Sequence, residues 1–136
     1  MITVDTSGLF TLVNGRDPNN SAASRSLLAT GGPYLVPSAI LSEITYLLEQ
    51  RMPQALDRFL ADIEGGRYEL DCGENDMTRV RELVKRYEDL PLGFADAAVI
   101  ACAERNGGSV LTFDRRDFGV VAREGKITLL PAPDRN

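Results

Sequence analysis

The chain has 136 residues, 43% of them hydrophobic, and its 20 acidic and 15 basic residues give a formal net charge of −5. This length suits one globular domain, residues 1–136, with residues 131–136 as a frayed tail, and leaves no room for a second domain. The chain has no histidine and its 2 cysteines lack CxxC spacing, which excludes imidazole catalysis and metal sites built from histidine or thiolate.

Hydropathy and charge bear on two further classes, membrane proteins and nucleic-acid-binding proteins. The longest apolar run, residues 97–103, is far below the roughly eighteen residues needed to span a bilayer, and the N-terminus lacks a basic leader, so we expect a cytoplasmic protein without a membrane segment. A uniformly acidic surface would disfavour nucleic acid. If several acids surround a divalent cation, however, the remaining surface is close to balanced.

Short apolar runs alternate with segments of helical periodicity. In chain order we predict a strand at residues 2–4, helices at 6–13 and 19–30, a strand at 34–37, a helix to residue 51 with Ser38 as its N-cap, a helix at 53–63, a strand at 67–70, helices at 74–87 and 93–105, a strand at 109–113, a short helical turn at 114–121 and a last strand at 126–131. This alternation predicts an α/β fold with a mostly parallel sheet and helices on both faces.

Three acids have two readings each. Asp5 ends the first strand, where it suits either an N-cap or a ligand site beyond the strand end. Glu43 lies at the edge of an apolar helical stripe, where a glutamate can also extend into solvent. Asp114 ends a later strand and, with Asp117, also fits a capped turn.

The position of Asp96 is a more specific indication of function than those of the other three acids. On a helical wheel it shares a stripe with four apolar residues, Leu92, Val99, Ile100 and Ala103. A favourable helix dipole supplies only about 0.3–1 kcal/mol, which is too little to explain a carboxylate there. A buried, unpaired carboxylate costs several kcal/mol, so the position favours a functional role.

The four acids together predict a cation site. Two carboxylates about 4 Å apart repel by about 4 kcal/mol at an effective dielectric constant near 20, so a cluster of four needs a counter-charge. Oxygen ligands alone suit a hard ion, Mg²⁺ or Mn²⁺. Such a site is suited to phosphoryl chemistry.

Four segments of the sequence resemble one family. They are VDTSGLF with Asp5, PSAILSEITYLL with Glu43, LPLGFADAAVIACAERNG with Asp96, and SVLTFDRRDF with Asp114. In this order and spacing they resemble the PIN domain family, and within it the VapC ribonuclease toxins of bacterial toxin–antitoxin pairs.

The resemblance implies a three-layer α/β/α fold and an Mg²⁺-dependent endoribonuclease, with Mn²⁺ able to substitute. Asp5, Glu43, Asp96 and Asp114 would be the metal-binding and catalytic acids. Asp117 and Thr112 would be helpers. Some relatives carry a further acid three residues before the third one, where this chain has Gly93.

The resemblance also implies partners. These are an RNA substrate, a cognate VapB-type antitoxin and a second copy of the chain as a homodimer. Arg115 and Arg116 are candidate phosphate contacts, or simply part of a solvated turn. Five apolar residues of the middle helices serve either as an interface or as core: Tyr46, Leu47, Leu56, Phe59 and Leu60.

Two other functions remain as alternatives. A PIN-like fold without catalysis would only bind a partner or RNA. A phosphohydrolase of the haloacid dehalogenase type also ends its first strand with an aspartate, but it requires a second aspartate where this chain has Ser7.

Overall fold

The structure is a computed structural model, and it describes residues 1–132. The prediction of a frayed tail at residues 131–136 therefore falls mostly outside the described residues. The five strands are β1 (Ile2–Val4), β2 (Tyr34–Pro37), β3 (Tyr68–Asp71), β4 (Ser109–Leu111) and β5 (Thr128–Leu130). The seven helices of the described residues are α1 (Thr6–Val13), α2 (Asn20–Thr30), α3 (Leu41–Arg51), α4 (Pro53–Glu64), α5 (Met77–Arg86), α6 (Phe94–Arg105) and α7 (Arg115–Ala122).

The strands form one sheet in the order β3-β2-β1-β4-β5, and every neighbouring pair is parallel. The predicted three-layer α/β class is confirmed, and the mostly parallel sheet is wholly parallel. β1 is the central strand, and its residues are almost fully buried, as expected for a parallel sheet covered by helices. Since all strands run the same way, the residues that follow β1, β2 and β4 meet at one edge of the sheet.

Helix α6 packs directly against the centre of the sheet, in contact with β1, β2 and β4. Its buried face includes three alanines, Ala97, Ala101 and Ala103, whose small side chains let the helix approach the strands closely. This packing directs the first turn of α6 toward the carboxyl edge of the sheet. No helix among residues 1–132 is both long enough and apolar enough to cross a membrane.

The prediction of Ser38 as an N-cap is wrong. Residues 38–40 form a single 3₁₀ turn before α3, and the Ser38 side chain makes no capping hydrogen bond. The Leu41 amide donates to the Ser38 carbonyl, the i→i+3 bond that tightens such a turn. The Ser38 hydroxyl lies 3.7 Å from the sulfur of Cys72.

The helix predicted from residue 74 begins only at Met77. Gly73 has a φ of +64°, and Arg105 donates from Nη2 to Oδ1 of Asp71 at 2.6 Å and from Nε to Oδ1 of Asp76 at 2.8 Å. These long-range ion pairs fix both ends of the loop formed by residues 72–76.

Strands β3, β4 and β5 have different ends from those predicted. Strand β3 is predicted at residues 67–70 and is shifted by one residue, to Tyr68–Asp71. The last was expected at residues 126–131 and is Thr128–Leu130. The strand expected at residues 109–113 ends at Leu111. The Thr112 amide still donates to the Leu130 carbonyl of β5, but the Phe113 amide donates to the Ser7 hydroxyl and the Asp114 amide to the Thr112 hydroxyl.

Candidate active site

All four predicted acids line one cavity at the carboxyl edge of the sheet. The cavity has a volume of 240 Å³ and is lined by Asp5, Thr6, Ser7, Ile40, Glu43, Leu47, Ala95, Asp96, Val99 and Asp114. Within residues 1–132, neither lysine nor arginine lines it, and none of the four acids takes part in an ion pair. The four carboxylates therefore share one cavity without a protein counter-charge in its described lining.

Asp5 follows β1, caps helix α1 and lines the cavity. Its Oδ1 accepts the Gly8 amide at 2.7 Å and the Ser7 hydroxyl at 2.9 Å, and its Oδ2 accepts the Thr112 hydroxyl. Burial raises the pKa of Asp5 to about 6, against the lowering effect of these hydrogen bonds and with a further rise from the charge of Asp114. The N-cap reading of Asp5 is therefore confirmed, and its role as a cation ligand stays a prediction.

Asp96 lies in the first turn of α6, where it is half-buried. Burial is the main cause that raises its pKa to about 6, and the charges of Asp114, Asp5, Glu43 and, last, Asp117 add to the rise. Among the described residues its side chain has no hydrogen bond or ion pair that would offset this cost. The position is unfavourable for a carboxylate that serves only structure.

Glu43 and Asp114 lie at the exposed mouth of the cavity. Glu43 belongs to the first turn of α3, and Asp114 precedes α7. Asp114 stands at the N-cap position, but its carboxylate makes no capping hydrogen bond, so the capped-turn reading is wrong. Both side chains are therefore free to turn into the cavity.

The two predicted helpers have different environments. Thr112 is fully buried and supports Asp5 directly. Asp117 is 7% exposed and outside the cavity lining, and its Oδ1 is buried without a hydrogen-bond partner among the described residues. The nearest cation to that oxygen is the Arg116 Nε at 3.9 Å.

Neither of the two arginines predicted as phosphate contacts belongs to the cavity lining. Arg115 donates from Nη2 to the carbonyl of Pro131, and the Arg116 side chain is 84% exposed. The Arg116 side chain is thus accessible from solvent, whereas Arg115 is engaged with the residue that follows β5.

Sequence reasoning missed Ser7 as a site residue. Its hydroxyl donates to Asp5 and accepts the Phe113 amide at 2.9 Å. The only signal in the sequence was its place two residues after a strand-ending aspartate, which is also a common place for a serine in the first turn of a helix.

The cavity fits a hydrated hard cation better than a tightly bound bare one. No group of three or more His, Cys, Asp or Glu side chains among residues 1–132 is assembled closely enough to hold a metal ion as it stands. The donors around the cavity are carboxylate oxygens, the ligand type that Mg²⁺ and Mn²⁺ prefer. A volume of 240 Å³ also leaves room for several waters of about 30 Å³ each, which Mg²⁺ usually retains.

The raised pKa values of Asp5 and Asp96 predict that the metal-free protein becomes more stable as the pH falls from 7 to 5. Each pKa is about 6 in the folded protein, against 3.8 for an ordinary aspartate, so the folded state binds protons more tightly than the unfolded one in this range. After allowance for the solvent access of Asp96, we expect a gain of about 1–2 kcal/mol.

Urea unfolding in EDTA at pH 5, 6 and 7 measures this trend. Asp96→Asn should reduce the dependence of the free energy of unfolding on pH. Mn²⁺ should also reduce this dependence, because it favours the ionised carboxylates. A metal-free protein whose stability stays constant or falls between pH 7 and pH 5 would contradict the prediction.

The fold and the site define a class: a three-layer α/β/α protein with a parallel sheet and an all-carboxylate site at its carboxyl edge. A model of the PIN domain family matches residues 2–124. The chain belongs to the PIN domain family and resembles its VapC members, as the sequence segments predicted.

Ribonuclease VapC26 of Mycobacterium tuberculosis (strain ATCC 25618 / H37Rv) is 30% identical over 135 residues, with 94% of this chain and 98% of that protein covered. The crystal structure of M. tuberculosis VapC20, described as a sarcin–ricin loop cleaving toxin, superposes with a TM-score of 0.69 at 27% identity and covers 89% of this chain and 95% of that one. A toxin–antitoxin complex from Klebsiella pneumoniae gives a TM-score of 0.73 at 18% identity over 94% of this chain and 96% of that one, which supports the fold alone.

Proposed function

We propose that the chain is an Mg²⁺-dependent endoribonuclease, the toxin of a type II toxin–antitoxin pair. The observation that carries the proposal is the set of four carboxylates around one cavity with no lysine or arginine in its described lining. Membership of the PIN domain family and the likeness to a ribonuclease support it. The family match also removes the haloacid dehalogenase alternative.

The proposed cation ligands are Asp5, Asp96 and Asp114, with Glu43 beside them. A divalent cation would supply a Lewis acid that lowers the pKa of water and offsets phosphate charge. Asp5, being buried and held by three donors, is the most rigid of the ligands.

Glu43 is suited to position the attacking water and accept its proton, since it is exposed at the cavity mouth with access to solvent. The water oxygen would attack phosphorus as the bond to the 3′ oxygen breaks. The leaving 3′ oxygen would take a proton from solvent, and Glu43 would return its proton to solvent. The products are a 5′-phosphate and a 3′-hydroxyl. Arg116, which is exposed and lies two residues after Asp114, is the more accessible of the two arginines for contact with a neighbouring phosphate.

Metal-dependent cleavage tests this function. The purified protein should cut single-stranded RNA with Mg²⁺ or Mn²⁺ and leave it intact in EDTA, and either ion should raise the melting temperature. Mapping the ends should show 5′-phosphates. Binding of RNA without cleavage under any of these metal conditions would favour the silent binding module.

We propose two protein partners, an antitoxin and a second copy of the chain. Growth arrest on expression, relieved by co-expression of the small gene expected next to this one, tests the antitoxin. The five apolar residues of α3 and α4 that are candidates for the dimer interface differ in exposure. Phe59 belongs to the core, and Leu47 and Leu56 are partly buried. Tyr46 and Leu60, which are 61% and 45% exposed, are accessible to a second copy of the chain.

The double substitution Tyr46→Glu and Leu60→Glu is expected to convert a dimer into a monomer, because it places charges on the exposed apolar face. Light scattering of the purified protein measures the mass. Leu28→Glu on α2, where the leucine is 79% exposed, is the control and should remain dimeric. A double variant with the mass of the unaltered dimer would place the interface elsewhere.

A further inference from the structure

Each carboxylate oxygen of Asp5 is linked through a hydroxyl to the turn between β4 and α7. The Ser7 hydroxyl donates to Oδ1 at 2.9 Å and accepts the Phe113 amide at 2.9 Å. The Thr112 hydroxyl donates to Oδ2 and accepts the Asp114 amide at 3.0 Å. The two links connect the acid that follows β1 with the turn that carries the acid following β4.

The direction of each hydrogen bond in this network is fixed. The amides of Phe113 and Asp114 can only donate, so each hydroxyl accepts from an amide and has its single hydrogen left for Asp5. The Ser7 and Thr112 oxygens are 3.3 Å apart, but neither has a second hydrogen for the other while it serves the carboxylate. The network therefore orients the carboxylate in one way.

The two oxygens of Asp5 are not equivalent. Oδ1 accepts two hydrogen bonds, from the Ser7 hydroxyl and the Gly8 amide. Oδ2 accepts one among the described residues, from Thr112. Since a carboxylate oxygen has two lone-pair positions, Oδ1 is fully used and Oδ2 retains one for another partner.

We propose that Ser7 is a positioning residue of the site: its hydroxyl engages Oδ1 of Asp5, leaves Oδ2 as the oxygen available to a cation, and ties Asp5 to the turn that carries Asp114. This inference rests on the proposed function, since it assumes that these acids bind a cation. Ser7 touches no reacting atom in this role.

Loss of the Ser7 hydroxyl would leave the Phe113 amide without its partner and Oδ1 with only the Gly8 amide. The Asp5 carboxylate would then be free to rotate, and Oδ2 would no longer be held in one orientation. Substitution of groups that orient metal ligands typically costs 10–100-fold in metal affinity, and we expect about this loss for Ser7→Ala.

The test is the dissociation constant of Mn²⁺, measured from the signal of free Mn²⁺ in electron paramagnetic resonance, for the unaltered protein and four variants. Ser7→Ala, and Ser7→Cys with its weaker hydrogen bonds, should weaken Mn²⁺ binding about 10–100-fold. Ser7→Thr retains a hydroxyl and should restore binding. Ser21→Ala removes an exposed hydroxyl from α2 and should bind as the unaltered protein does.

The outcomes separate this inference from the proposed function. If the unaltered protein does not bind Mn²⁺, the proposed function fails and the role of Ser7 fails with it. If it binds Mn²⁺ and Ser7→Ala binds equally well, only the positioning role is overturned, even where the variant melts at a lower temperature in EDTA. If Ser7→Ala does not fold, the same comparison with Ser7→Cys decides.

Discussion

Asp96→Asn is expected to slow RNA cleavage strongly while the metal-free protein remains at least as stable as the unaltered one. Asparagine keeps the shape of the side chain but removes a charge that burial and the neighbouring acids disfavour. The pKa shift to about 6 would correspond to about 3 kcal/mol for a buried group, and solvent access to this half-buried side chain reduces the expected gain to about 1 kcal/mol. Loss of a cation ligand should lower the rate by about 10²–10³-fold, the range for removal of one group that stabilises transition-state charge.

Two assays on the same preparation measure these effects: cleavage of a labelled RNA with Mg²⁺, and urea unfolding at pH 7.5 in EDTA. Asp57→Asn is the matched control, since Asp57 is exposed on α4, and it should change neither quantity appreciably. A loss of more than about 2 kcal/mol in the metal-free Asp96→Asn protein would assign Asp96 a structural role instead.

Gly8→Ala is expected to be strongly destabilising although it adds one methyl group. A Cβ at Gly8 would lie 2.2 Å from the carbonyl oxygen of Leu111 and 2.8 Å from its carbonyl carbon, both backbone atoms of β4. That carbonyl also accepts the Asp5 amide at 3.2 Å, so α1 and β4 would have to separate at the site itself. We expect a loss of about 3 kcal/mol, the upper end for overpacking.

Urea unfolding compares this variant with Gly119→Ala. Gly119 is also a helical glycine, in α7, but a Cβ there meets nothing within 4 Å, so alanine should stabilise the protein by about 0.5–1 kcal/mol through helix propensity. If both variants were equally stable, the contact of α1 with β4 would be looser than the structure describes.

The sequence predicted the parts of the fold that depend on local pattern. The helix predicted at residues 93–105 is present as Phe94–Arg105, because capping and apolar periodicity act over one turn. Asp96 was recognisable as a candidate site residue because one charge interrupts an otherwise apolar stripe. That Asp5 lines the same cavity was predictable because strand ends converge in a parallel sheet.

Features that depend on distant partners were not predictable. The start of α5 was placed three residues too early, because Arg105 binds acids 34 and 29 residues before it. Ser7 was missed because its role requires Phe113, which lies 106 residues later in the chain. The buried, unpartnered oxygen of Asp117 is likewise a property of tertiary packing, invisible in a turn that reads as solvated.

The ion pairs of Arg105 have a consequence at the opposite end of its helix. Arg105 is the last residue of α6 and Asp96 belongs to its first turn, so one helix of 12 residues connects them. The C-terminus of this helix forms ion pairs with Asp71 and Asp76, so the angle between α6 and the strands depends partly on residues outside the cavity. A substitution that breaks these ion pairs is therefore expected to shift Asp96 relative to the other three acids without touching any of them.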